Sequence, residues 1–309
     1  MNRWIILAII VALGIAALAW SERHPVEVNF TPEALLYFVA DSEWELSRLP
    51  MRVTRLSDQE EIDIGNRLAA KVSAGRLGPN RNHQQKQQAR LVEDYISRVG
   101  GRVAAHAERK LPYKFHYIPD MNFVNAFALP GGHVYIGAGL VALMDSEDEL
   151  AAVLGHEIEH IDHRHCAERV QLEARLERIP LGELAQIPLA VFEAGYSKDQ
   201  ELEADSEGTK LAVAAGYSPL GAERMCETYD RLYQEYVRHA ESPQEELSSV
   251  AIAAIQGYFR SHPLPSQRIE QIRRLIADNH WEGLTHERDL EVADIFRTER
   301  AERLHNAVK

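Results

Sequence analysis

The chain of 309 residues is long enough to bury a sizeable core and to hold one or two domains. Its 34 Lys and Arg stand against 47 Asp and Glu, a formal charge of −13. A field of that sign repels phosphate backbones and anionic lipid headgroups, so no nucleic-acid partner is expected.

Residues 4 to 20, WIILAIIVALGIAALAW, form an uninterrupted apolar run behind Arg3 and in front of Ser21-Glu22-Arg23. Its length lies at the short limit for crossing a bilayer, and Trp4 and Trp20 bracket it as interfacial aromatics do, which reads as a signal anchor. Ala17-Leu18-Ala19 also fits the small-x-small rule of signal peptidase, so a cleaved signal peptide is the alternative for residues 1–20. Either element exports the rest of the chain, to be held at the membrane through the N-terminal helix or released as a soluble periplasmic protein. Residues 21–56 form a juxtamembrane segment without a clear period.

Ser57 opens a helix, SDQEEIDIGNRLAAKV, with Glu60 in capping-box position and Ile62, Leu68 and Val72 on its apolar side. The polar stretch Gly78–Gln88 is a loop or a frayed helix start. In LVEDYISRVGGRVAAH, Leu91, Tyr95, Ile96, Val99 and Val103 recur at three and four, predicting an amphipathic helix. Strand signals follow in YKFHYIP and in NAFALPGGHVYIGAGL, the latter as two strands around Pro130-Gly131-Gly132, which predicts a small antiparallel sheet with His133 on its surface. From there the chain reads as helical to its end, apart from proline-broken stretches at 179–196 and 262–265. The fold class is α+β, mostly helical, with no internal repeat.

The helix SEDELAAVLGHEIEHIDHRH starts at Ser146, with Glu149 three residues on, and lays Leu150, Val153, Leu154, Ile158 and Ile161 on one side. His156 and His160 then project one turn apart from a single face, close enough to share an ion, with Glu157 beside it. A lone H-E-x-x-H is weak evidence, because a solvated face rich in His and Glu gives the same pattern. A third ligand strengthens it: in YSKDQELEADSEG, Glu201 and Asp205 lie four apart, so that one carboxylate can bind metal while the other hydrogen-bonds a ligating imidazole. Glu203 competes with Glu201, and periodicity does not separate them.

DELAAVLGHEIEHIDHRH, preceded by NAFALPGGHVYIGAGL and followed by YSKDQELEAD and SHPLPSQRI, resembles the zinc endopeptidase family that includes HtpX, BepA and the CAAX prenyl protease. The resemblance covers roughly residues 57–277, leaving 278–309 as a C-terminal helical extension. It implies a zincin-like fold of the gluzincin type, with Zn²⁺ held by His156, His160 and Glu201, Glu157 as general base, and Asp205 supporting a ligand. It places Asn125, His262 and Arg268 near the substrate, where they help stabilise an oxyanion, and it allows His262 to ligate zinc in a closed form. Glu159 departs from the usual small or apolar residue, but it lies about 100° round the helix from His160 and points away.

Other features have separate readings. His163 and His165 can be taken for a second metal site, although histidines near a helix C-terminus also complement its dipole. Residues 179–196 are a candidate lid. Cys166 and Cys226 are either one disulfide or two buried thiols. The expected function is zinc-dependent cleavage of protein or peptide substrates such as misfolded envelope proteins. The alternative is a membrane-tethered chaperone or scaffold that keeps the fold without cutting.

Overall fold

The computed structural model describes residues 56–76, 82–176, 190–193, 196–241 and 265–296. The apolar run 4–20, the juxtamembrane segment up to residue 55, His262 and most of the candidate lid lie outside them. Among the described residues, no helix is long and apolar enough to cross a membrane.

Helix α1, Asp58–Arg76, begins with a reciprocal cap: Ser57 N donates to Glu60 Oε2 at 2.7 Å, and Glu60 N donates to Ser57 Oγ at 3.3 Å. Helix α2, His83–Ala104, has a second capping box made by Asn82 and Gln85, so it starts inside the polar stretch rather than at Leu91. Tyr95, Ile96, Val99 and Val103 are buried as their spacing predicts, but Leu91 is exposed and Val92 takes the buried position.

Strands β1 (Lys114–Ile118), β2 (Ala126–Leu129) and β3 (His133–Gly137) form one sheet in the order β1-β3-β2. The predicted hairpin is present, since β2 and β3 pair antiparallel around Gly131 and Gly132, both at positive φ. The sheet as a whole is mixed rather than antiparallel, because β1 pairs parallel with the central strand β3. The seven residues between β1 and β2 carry the chain past β3, and the hairpin returns β3 into the gap. Strand alternation divides the core: Phe115, Ala126, Ala128, Val134 and Ile136 join one apolar cluster, whereas Phe127, Leu129 and Tyr135 join a second with Leu68, Val72 and Val170. With both faces covered, His133 is buried rather than on a strand surface.

The short helix α3 (Ala138–Val141) leads to α4, Glu147–Asp162, whose 16 residues are all buried. Ser146 Oγ caps it by accepting from Glu149 N at 3.2 Å. The acidic first turn is used by the rest of the fold: Glu147 accepts from Tyr95 Oη at 2.9 Å and Tyr217 Oη at 3.0 Å, and Asp148 accepts from Ser218 N and Arg288 N, each at 2.6 Å. These contacts complement the positive end of the helix dipole and pin the start of α4.

After a left-handed residue at Arg164 (φ 63°), helix α5 (His165–Leu176) doubles back under α4. The one-turn helix α6 (Ala190–Glu193), α7 (Lys198–Ala214), α8 (Leu220–Glu241) and α9 (Pro265–Asp278) follow. Helices α7 and α8 flank α4, and α9 packs against both. The expected C-terminal helical extension is not a continuous helix over 279–296. His280 is left-handed (φ 56°), and the segment returns to α4, bridging Asp289 to Ser146 and burying Leu290, Val292 and Phe296.

Candidate metal centre

The site lies where α4 crosses α7. Both helices carry a glycine at the crossing, and a Cβ on Gly155 would meet Gly208 O at 2.5 Å. Without side chains between them the two backbones approach closely, and donors that follow Gly155 on α4 and precede Gly208 on α7 converge. His156 Nε2 is 3.1 Å from His160 Nε2 and 3.4 Å from Glu201 Oε2, and His160 Nε2 is 3.6 Å from Glu201 Oε1. Three donors on a tetrahedral ion with bonds of 2.0–2.2 Å stand roughly 3.3–3.5 Å apart, so these separations fit one zinc-sized ion.

Proton placement agrees. His156 Nδ1 is 2.9 Å from Asp205 Oδ1, a carboxylate that accepts, so Nδ1 carries the proton and Nε2 presents a lone pair. With no ion bound, burial disfavours a charge on His156, but hydrogen bonds to Asp205 and Glu201 outweigh it and raise His156 to about 10, so that Nε2 then holds a proton toward Glu201, the proton a metal ion displaces. Burial likewise raises Asp205, but Arg268 and His156 more than offset it and hold the carboxyl low. A fully buried Glu201 carboxylate facing two imidazole nitrogens needs a proton or a metal cation among them, and the two-nitrogen, one-oxygen donor set suits zinc.

Glu157 is buried beside His156, and burial pushes its carboxyl up to about 7. With His156, Asn125 and Arg268 it lines an open cavity whose remaining wall is largely apolar, including Leu140, Val153 and Met225. Asn125 Oδ1 accepts from Ala126 N at 3.0 Å at the start of β2. Arg268 is turned to Asp205, with Nε 2.7 Å from Oδ2, so its strongest contact is behind His156. Glu203 lies apart from the three donors and pairs with His163 and His165 at 3.2 Å each, whereas Glu159 pairs with His163 at 3.1 Å. Cys166 and Cys226 are separate buried thiols.

Sequence reasoning missed Tyr196. Its ring stacks on His160 with centroids 4.0 Å apart, its N–H donates to Glu201 Oε1 at 3.2 Å, and its hydroxyl meets Cys166 Sγ at 3.1 Å. The available signal was an aromatic residue directly before the Ser197 cap of α7.

A histidine pair on a buried helix, joined by a glutamate from a crossing helix beside an open cavity, is a donor set able to hold a metal ion. Residues 90–276, more than half of the chain, match the family model described as Peptidase family M48, and the chain belongs to that family. It is similar to the beta-barrel assembly-enhancing protease of Escherichia coli K12, at 27% identity over 68% of this chain and 46% of that protein. It is also similar to the mitochondrial metalloendopeptidase OMA1 of Schizosaccharomyces pombe, at 33% identity over 44% of this chain and 43% of that protein. Metalloprotease YcaL of E. coli K12 is 25% identical over 73% of this chain and 84% of its own. The chain thus spans less than half the length of the beta-barrel assembly-enhancing proteases it matches.

Proposed function

We propose that this member of the M48 family is a metalloprotease, a zinc endopeptidase of zincin-like fold that holds its ion with His156, His160 and Glu201. The observation that carries this reading is the set of separations among their donor atoms, 3.1, 3.4 and 3.6 Å. When bound, zinc supplies a Lewis acid that polarises the scissile carbonyl and lowers the pKa of water. Glu157 takes the proton of the attacking water and delivers it to the leaving amine as the peptide bond breaks. Asp205 keeps His156 in the tautomer that presents Nε2, and Arg268 fixes Asp205. Asn125, on the cavity wall, donates its amide to the carbonyl oxygen as charge develops there.

Strand β2 lies at the edge of the sheet and its start reaches the cavity at Asn125 and Ala126, where an extended substrate pairs by its backbone. Such pairing grips a chain without reading its sequence, which suits unfolded or misassembled proteins of the envelope. The apolar run 4–20 carries the protein out of the cytoplasm as an anchor or a cleaved signal, and the peptidase unit extends from about residue 57 through the core residues up to Phe296.

The test is Glu157→Gln in the full chain. It is expected to keep one zinc per chain and to cleave casein more slowly by about 10²–10⁴-fold, the usual contribution of a general base. Cleavage at the wild-type rate would overturn the mechanism.

A further inference from the structure

The group that holds His160 is not a carboxylate. Its Nδ1 lies 2.9 Å from Nδ1 of His165, a side chain that is itself buried, and His165 Nε2 lies 3.2 Å from Glu203 Oε2. Glu203 is half exposed, so this chain of contacts runs from the buried site to the surface. His165 reaches its place through the left-handed turn at Arg164, which is tied to α1: Arg164 Nη1 donates to Leu56 O at 2.9 Å, and the guanidinium pairs with Asp58 and Glu61. A non-glycine residue in that conformation persists only where its surroundings hold it.

We infer that His165 is a positioning residue, which accepts the Nδ1 proton of His160 and is oriented in turn by Glu203. This rests on the reading of His160 as a metal ligand through Nε2. In that role His160 is neutral with its proton on Nδ1. Nδ1 of His165 must then be the acceptor, its proton lies on Nε2, and that proton is donated to Glu203. The two ligating imidazoles are therefore supported differently: His156 by the buried, arginine-clamped Asp205, and His160 by a neutral imidazole backed by a carboxylate at the surface.

The same proton decides the fate of a competing site. His163, His165 and Glu203 offer donor atoms within 4.8 Å of one another, a second metal-capable cluster. Ligation through His165 Nε2 would move its proton to Nδ1, and two N–H groups would then face each other across 2.9 Å. While His160 serves the first ion, His165 cannot serve a second.

The experiment measures zinc stoichiometry and affinity of the full chain by competition with a chromophoric chelator. Wild type is expected to bind one zinc. His165→Phe, which keeps a ring but accepts nothing, is expected to weaken binding about 10–100-fold, the usual loss when a ligand's hydrogen-bond partner is removed. His165→Gln restores an acceptor and is expected to recover at least part of that affinity. Glu203→Ala, at a half-exposed position that does not threaten the fold, is expected to weaken zinc several-fold with an unchanged Tm. Unchanged affinity in both His165→Phe and Glu203→Ala, with wild type at one zinc, would overturn this inference alone. A wild type holding two ions that falls to one in His165→Phe would overturn it in favour of the second site. A wild type with no zinc, or His160→Ala with full affinity, would overturn the reading of His160 as a ligand and this inference with it.

Discussion

Arg268 grips Asp205 as a fork, with Nε 2.7 Å from Oδ2 and Nη2 2.6 Å from Oδ1, both side chains buried. Asp205 passes that restraint to His156 at 2.9 Å. Lysine keeps the charge at position 268 but offers no planar fork, so Arg268→Lys should loosen His156 without touching any proposed ligand. Zinc affinity is expected to fall about 10-fold. Arg268→Gln leaves a buried carboxylate without its counter-charge and is expected to cost about 3 kcal/mol in unfolding free energy as well. Chelator competition and urea denaturation read the two effects; wild-type values in both would show that the fork does not support the site.

The Gly155 and Gly208 crossing sets the distance between Glu201 and the two histidines. A Cβ on Gly208 would lie 2.5 Å from His156 N and 2.6 Å from Gly155 C, contacts that backbone atoms cannot relieve by a rotamer change. Gly208→Ala is therefore expected to push α7 from α4, lowering stability by about 2–3 kcal/mol and weakening zinc more than ten-fold. An alanine variant with wild-type Tm and zinc affinity would show that the helices do not depend on this contact.

A histidine pair remote from the proposed ligands makes the fold acid-sensitive. His133 Nε2 donates to Asn66 Oδ1 at 3.0 Å, so its Nδ1 accepts from His116 Nε2 at 2.9 Å, and both rings are neutral. Burial holds each at about 4, well under the usual 6.5, with Lys114 adding to the effect. The unfolded chain takes up protons at these sites first, so their stabilising share is complete above pH 6.5 and is lost as pH falls toward 4. By pH 5 each imidazole is expected to have cost about 2 kcal/mol. His116→Phe, which retains a ring against Tyr135, should remove about that much from the drop in urea-unfolding free energy between pH 7 and pH 5. An identical drop in the variant would contradict the assignment.

Much of this was legible in the sequence because local rules carried it. The caps at Ser57 and Ser146 mark helix starts by side-chain chemistry alone, and the apolar residues that the period assigns to α4 are buried, although its polar side is buried as well. Nothing local distinguished Glu201 from Glu203. The choice between them is made by the glycine crossing, a contact between residues 53 positions apart that leaves no periodic trace. The parallel pairing of β1 was hidden for a similar reason, since a strand records which residues face inward but not which neighbour it joins. Leu91 shows the limit of periodicity itself, since the exposed side of a helix tolerates a leucine.

The most direct test of the account is zinc content together with chelator-sensitive proteolysis in the full chain, for wild type and for Glu201→Ala. Wild type is expected to carry one zinc, to lose cleavage of unfolded casein when a chelator removes it, and to regain cleavage on adding zinc back. Glu201→Ala is expected to remain folded, to lose zinc affinity by several orders of magnitude, and to be inactive at micromolar zinc. Undiminished cleavage by the metal-free protein, or full zinc occupancy and activity in Glu201→Ala, would contradict the assignment of His156, His160 and Glu201 as its metal centre.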